Sequence, residues 1–348
     1  MTTPLFVTRD PTLLDELLRL AAAAGTTPEV AGDGGSALRA WSGAPLVLVG
    51  EDMAAEVAAV APPRREGVHV VAWGEAPDVL FRTAVAMGAE NVASLPASDD
   101  WVVETLTDLA DAGRARGLTI GVVGGSGGAG ATTFACALGQ VAVRTGPAVV
   151  VDADPLGPGL DRVLGLERAA GVRWDELCRT TGRLSARALR EALPRSGDLG
   201  ALTWSTGGHH ALPAFAVREA LSAARRGHDT VVVDLPRGHD PLVDEVVARC
   251  DRLLVVTVPT VAGVAAAGRL TGAYADASRL GLVLRGRGLA ETQVSRALQV
   301  PVLASMPDQR GLAEAIDLGL GPVRSRRGPL GRACVEVLGQ VAGLRAVA

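Results

Sequence analysis

The sequence predicts an α/β protein of two consecutive units, and three observations carry that reading. Short runs rich in Val and Leu alternate with stretches of helical periodicity along the whole chain, as parallel sheets require. A strand, a glycine-rich loop and a helix follow one another at residues 118–146, the arrangement that cradles phosphate. The 348 residues suit two domains, and with 48% hydrophobic but only 3% aromatic residues the cores must be mostly Val, Leu and Ala.

In the first unit, strands are expected at "PLFVT" (4–8), "PLVLVG" (45–50), "VHVVAWG" (68–74) and "NVASLP" (91–96). "PTLLDELLRLAAAAG" (11–25) spaces its leucines for a helix and stops at Gly25. "DDWVVETLTDLADAG" (99–113) gives the closing helix, and "RARG" (114–117) reads as a linker. The second unit opens with "LTIGVVG" (118–124) and continues through strands "AVVVDAD" (148–154), "DTVVVDLP" (229–236), "RLLVVTVP" (252–259), "LGLVLRG" (280–286) and "VPVLASMP" (300–307). The last helix, within residues 331–347, places Val335, Leu338, Val341 and Leu344 on one face and is expected to pack on the core.

Charge and composition exclude several roles. A net charge of −4 favours neither nucleic acid nor an anionic membrane. All 34 basic residues are Arg; the chain has no Lys. Cys136, Cys178, Cys250 and Cys334 are far apart, which suits reduced thiols in a cytoplasmic protein. "MTTPLFVTRD" lacks signal-peptide character and no run is long enough to span a bilayer. His209, His210, His228 and His239 lack ligand partners at a metal spacing and are expected in solvated loops. Trp41, Trp73, Trp101, Trp174 and Trp204 are expected as packing anchors, and the basic cluster Arg324 to Arg332 as a solvated loop.

The loop "GGSGGAGATT" (124–133) carries the chemistry. Its glycines let backbone N–H groups turn inward, and the following helix adds positive potential at its N-terminus. Gly125, Gly127 and Gly130 satisfy GxGxxG, so a dinucleotide site is formally open, although the acids at Asp152 and Asp154 come later than that motif expects. A P-loop accounts for more: Asp152, Asp154 and Asp234 end neighbouring strands, and with the Thr132 hydroxyl they form a magnesium environment.

Residues 118–345 resemble the MinD/ParA family of deviant P-loop ATPases, through the loop, "VVVDADPLG", "DTVVVDLPRG", "DRLLVVTVPT", "GLVLRG" and "VPVLASMPDQRGLAEAIDLGLGPV" in that order. With a receiver-like, flavodoxin-like domain over 1–113 ahead of the P-loop domain 118–348, the chain is similar to the CpaE/TadZ subgroup, in its actinobacterial septum site-determining branch. The resemblance implies a spatial regulator or scaffold of a pilus, secretion or cell-division apparatus. It implies ATP and Mg2+ as cofactors, a homodimer, protein partners in that machinery, and peripheral recruitment to the inner membrane face at pole or septum. No nucleic-acid partner is expected.

By the same resemblance Gly125, Ser126, Gly127, Gly128, Ala129, Gly130, Ala131, Thr132, Thr133 and Arg285 are the cofactor-binding positions. Thr132, Asp152 and Asp234 are the metal positions, and Asp154 the catalytic one. The chain departs from the pattern in three places. Ser126 and Ala131 stand where the family carries its trans and cis lysines, so nucleotide binding is expected to be weak or vestigial and hydrolysis doubtful. Arg285 replaces a base-recognising Asn. In the first domain Gly50 stands where a receiver has its phospho-accepting Asp, with Glu51 and Asp52 one register late and Leu95 in place of a lysine, which makes it a pseudo-receiver. A slow genuine ATPase with a nucleotide-driven dimer cycle is the first rival, and a dinucleotide enzyme the second.

Overall fold

A computed structural model describes residues 3–112, 117–179, 184–205, 213–238, 241–274 and 276–347. The chain forms two compact units, Met1–Ala115 and Arg116–Ala348. Of the expected linker only Gly117 is described, and His209, His210 and His239 lie outside the described residues.

The first unit is a five-stranded parallel sheet in the order β2-β1-β3-β4-β5. Its elements are β1 (Leu5–Val7), α1 (Pro11–Ala23), β2 (Glu29–Ala31), α2 (Gly34–Trp41), β3 (Val47–Gly50), α3 (Glu51–Ala59), β4 (Val68–Trp73), α4 (Asp78–Met87), β5 (Asn91–Leu95) and α5 (Asp99–Ala112). Asp10 caps α1 by accepting from the Thr12 and Leu13 amides, and Pro11 occupies the first turn, where its missing N–H costs nothing. Two cores flank the sheet, one around Trp41, Val49 and Met53, the other around Phe6, Leu17 and Leu106.

The second unit is an eight-stranded sheet in the order β13-β12-β11-β6-β10-β7-β9-β8, parallel except for the β8–β9 edge. Its strands are β6 (Leu118–Gly124), β7 (Ala148–Asp152), β8 (Arg195–Ser196), β9 (Leu199–Leu202), β10 (Thr230–Leu235), β11 (Arg252–Thr257), β12 (Leu280–Arg285) and β13 (Val302–Met306). The helices are α6 (Ala131–Ala142), α7 (Leu160–Leu164), α8 (Trp174–Leu177), α9 (Ala186–Ala192), α10 (Ala214–Gly227), α11 (Pro241–Ala248), α12 (Val261–Thr271), α13 (Glu291–Leu298), α14 (Leu312–Asp317) and α15 (Pro329–Val347). β6, β7 and β10 are buried at every residue, which explains their Val-rich runs: a central parallel strand is covered on both faces. Carboxyl ends of β6, β7, β10 and β11 gather on one edge of the sheet, where parallel α/β proteins bind ligands.

Three expectations are corrected here. His228 is not a solvated loop residue: it is 4% exposed, and its Nδ1 donates to the Ala224 carbonyl at 3.0 Å, closing the C-terminal end of α10. Trp73 is exposed at the end of β4, so it anchors nothing, whereas Trp41 and Trp174 are fully buried. The inward stripe of α15 is Leu330, Cys334, Val337 and Val341; Val335 points outward, and the side chain of Leu344 is outside the described set. The four cysteines are free, three of them buried. No helix among the described residues is long and apolar enough to cross a membrane.

Candidate nucleotide site

The loop between β6 and α6 has the conformation its glycines permit. Gly128 and Gly130 adopt φ of +71° and +91°, the left-handed region in which a side chain is strained, and Gly130 opens α6. Gly125 is required by contact: a Cβ there would sit 2.6 Å from Thr257 Oγ1 and 3.0 Å from Ala267 Cβ, while its amide donates to Val256 O at 2.8 Å. Gly127 is exposed, with nothing near a Cβ, so its freedom belongs to the loop surface. Ser126 O accepts from the Ala129 amide at 3.3 Å, turning the loop back over β6. Ala131, Thr132 and Thr133 form the first turn of α6, where unpaired amides and the helix dipole favour an anion.

The carboxylates expected beside the loop are there, in unequal states. Asp152 and Asp234 are register partners on β7 and β10, 1% and 2% exposed. Thr203 Oγ1, just beyond β9, donates to Asp152 Oδ2 at 2.8 Å, the Asp154 amide donates to Oδ1 at 3.2 Å, and Trp174 Nε1 donates to the Asp152 carbonyl at 2.7 Å. Burial pushes the Asp152 carboxyl up to about 7 against these donors, and pushes Asp234 up to about 7 against the Thr132 hydroxyl, with Asp152 and Asp154 repelling its charged form. Asp234 Oδ2 is buried without a hydrogen-bond partner. An orphaned buried carboxylate oxygen beside a threonine hydroxyl is a donor set that suits Mg2+.

The expected magnesium environment of three carboxylates is narrower than the sequence suggested. Among the described residues no three His, Cys, Asp or Glu side chains converge as ligands. Asp154 instead folds its own loop: Oδ1 accepts from the Leu156 amide at 3.0 Å, and its carbonyl from the Gly157 amide at 3.0 Å. Thr132 and Asp234, whose Oδ2 has no partner, could hold a metal, while both carboxylate oxygens of Asp152 are bonded within the protein.

Two arginines reach the loop from elsewhere. Arg285, at the end of β12, donates through Nη1 to the carbonyls of Gly128 (3.3 Å) and Ala129 (3.2 Å), and through Nε to Asp308 Oδ1 (2.9 Å). Arg237, three residues past Asp234, lays its stem along the start of the loop: a Cβ on Gly124 would sit 3.6 Å from Arg237 Cδ. The sequence reading passed over Arg237 and Thr203 and took Trp174 only as a packing anchor, which its burial bears out; "DLPRG" was the available signal for Arg237, and nothing marked Thr203.

In the first unit, Gly50 ends β3 where a Cβ would meet Asp52 Oδ1 at 2.4 Å and Thr8 Cβ at 2.9 Å. Asp52 is exposed, but both its oxygens are engaged: Oδ1 accepts from Thr8 Oγ1 at 2.8 Å, and Oδ2 from the amides of Arg9 (2.7 Å) and Asp10 (3.2 Å).

Comparison with known proteins places both units. Residues 7–117 match the family described as "Rv3660c-like, CheY-like N-terminal domain". The uncharacterized protein Rv3660c of Mycobacterium tuberculosis (strain H37Rv) is 36% identical over 338 residues, 95% of either chain. The MinC:MinD cell division protein complex of Aquifex aeolicus has a chain that superposes with TM-score 0.55 at 20% identity, over 65% of this chain and 96% of that one. The septum site-determining protein MinD of Pyrococcus horikoshii, complexed with Mg-ADP, gives 0.52 at 18% identity, over 66% and 98%. At these identities the structural likeness is one of fold: the first unit is CheY-like and the second MinD/ParA-like.

Proposed function

The chain belongs to the Rv3660c-like family, and from that premise we propose that it is a positioning regulator whose MinD/ParA-like domain retains the metal half of a nucleotide site and has lost the lysine half. The observation that carries the reading is Asp234 Oδ2, buried and unpartnered beside Thr132 at the mouth of an intact phosphate loop. A buried polar atom left unpaired costs about 1–3 kcal/mol, and a bound cation would relieve it. The loop itself offers only backbone amides and hydroxyls, because Ser126 and Ala131 stand at the two lysine positions. Magnesium, when bound, would supply the positive charge between Asp234 and the phosphates; Thr132 and Asp234 would hold it.

The role is spatial regulation or scaffolding of a division, pilus or secretion apparatus in the manner of the CpaE/TadZ branch, with the CheY-like domain as a docking module that carries no phosphate. The MinD neighbours, a septum site-determining protein and a MinC:MinD cell division complex, support the division side of that choice. Weak ATP or ADP binding, negligible turnover and a dimer independent of nucleotide follow. Calorimetric titration of the full chain with ADP, with and without Mg2+, tests it. We expect binding only with Mg2+, at least tenfold tighter in Ala131→Lys, since a charged hydrogen bond is worth about 1.5–3 kcal/mol. Rapid, Mg2+-dependent ATP turnover by the unmodified chain would overturn the degenerate-site reading.

A further inference from the structure

The phosphate loop has no lysine, yet an uncommitted guanidinium lies against its first residues. Leu235 of β10 pairs with Val123 of β6, so the chain leaving β10 runs beside Gly124, where the loop begins. Arg237 is the second residue along that exit. Gly124 is buried, and its missing side chain leaves the room that Arg237 uses. A Cβ there would sit 3.6 Å from Arg237 Cδ and 3.8 Å from Ala131 Cβ. The arginine stem and the stub of Ala131 thus flank a single point. Ala131 is the position from which a cis lysine would extend, so the stem of Arg237 passes where such a lysine would start.

The charged end of Arg237 is not spent on the protein. The residue is exposed, and among the described residues it forms no hydrogen bond or ion pair. Arg285, the other arginine at the loop, is committed: Nη1 donates to the Gly128 and Ala129 carbonyls and Nε to Asp308. Two neighbouring features favour an anion bound with its cation. One is the set of amides that open α6, together with the positive end of its dipole. The other is the buried, partnerless Oδ2 of Asp234, three residues before Arg237. Phosphates seated on backbone amides alone keep most of their charge unbalanced. A guanidinium stays charged at every working pH and offers paired donors to two phosphate oxygens.

We propose that Arg237 is the phosphate-binding cation of this loop, supplying from the end of β10 the charge that Ala131 withholds on α6. The inference rests on the reading that the loop binds nucleotide, and the test separates the two. ADP with Mg2+ is titrated into the full chain, Arg237→Gln, Ala131→Lys and the double variant. Arg237 has no partner in the protein to lose, so the unliganded Arg237→Gln chain should melt with the wild type. Its ADP affinity should fall about tenfold, the worth of one charged hydrogen bond. With lysine at position 131 the same change should cost less than about threefold, because two cations serving the same phosphates do not act additively. An Arg237→Gln chain that binds ADP as tightly as the wild type would overturn the assignment and leave the nucleotide reading standing. A loss of equal size in both backgrounds would overturn it too, by placing the arginine's action away from the phosphates that the lysine reaches. Failure of the wild type to bind ADP would overturn both.

Discussion

Asp152 and Asp234 stand opposite each other in the β7–β10 ladder, yet one carboxylate has both oxygens bonded within the protein and the other has one oxygen with no partner. The difference comes from what each strand faces. Beyond β7 lies β9, whose end delivers the Thr203 hydroxyl; beyond β10 lies β6, whose end delivers the glycine loop and its backbone. The first carboxylate is thereby a fixed part of the wall, and the second keeps one buried oxygen without a protein partner.

Thr203 is the part of that wall most easily tested. Its hydroxyl donates to Asp152 Oδ2 and accepts from the Leu160 amide at 3.0 Å, fully buried. Thr203→Val should cost about 1–3 kcal/mol in denaturant unfolding, because two buried groups lose their partner. Thr203→Ser should recover most of it. A Val variant as stable as the wild type would show that the hydroxyl does not support Asp152.

In the CheY-like unit, acetyl phosphate with Mg2+ should leave no acid-labile phosphate. Gly50 has no side chain to accept it, and both oxygens of Asp52 are taken by Thr8, Arg9 and Asp10. Replacing the glycine should not repair this: Gly50→Asp places atoms within 2.9 Å of Thr8 Cβ, an overpacking that costs about 1–3 kcal/mol. Mass spectrometry reads the first outcome and thermal melting the second. Phosphate on Asp52 of the wild type would end the pseudo-receiver reading.

Burial, helped by the charge of Arg190 and opposed by the Ala224 hydrogen bond, pulls the His228 imidazole down to about 4. The unfolded chain takes up that proton near pH 6.5 and the folded chain only near 4. The neutral ring's contribution is therefore intact above pH 6.5 and is lost as pH falls toward 4, about 3 kcal/mol in all. The stability difference between wild type and His228→Gln should shrink by that amount over this window. A difference independent of pH would mean that the ring is solvated after all.

The long Val-rich strands were legible because a strand covered on both faces needs an unbroken apolar run, and β6, β7, β10, β11 and β12 all carry one. β2 was not: it has three residues, two of them exposed. α2 begins with two glycines, and Asp33 rather than any periodicity starts it. β8 and β9 exist through pairing with each other and with β7, which local pattern does not encode. At the site, the glycines, Thr132 and the three aspartates could be read from residue type and order. Thr203 could not, since a hydroxyl 51 residues from its carboxylate has no local signature. The Arg285–Asp308 pair waits on the register of β12 against β13, and the burial of His228 on the packing of α10.

The order of the eight-stranded sheet also grades how its parts come open. β6 is hydrogen-bonded along both edges, by β10 and β11, and exposes none of its seven residues. Its amides are released to solvent only when the sheet dissolves, so they exchange with the free energy of global unfolding. β8 has two exposed residues and a single neighbour, so this edge strand frays at a small fraction of that energy. The phosphate loop thus hangs from the slowest-opening strand, while the hydroxyl that pins Asp152 follows β9, which only the two-residue β8 separates from the open edge. Fraying at β8 brings solvent one strand closer to the Asp152 side of the site and leaves the loop untouched.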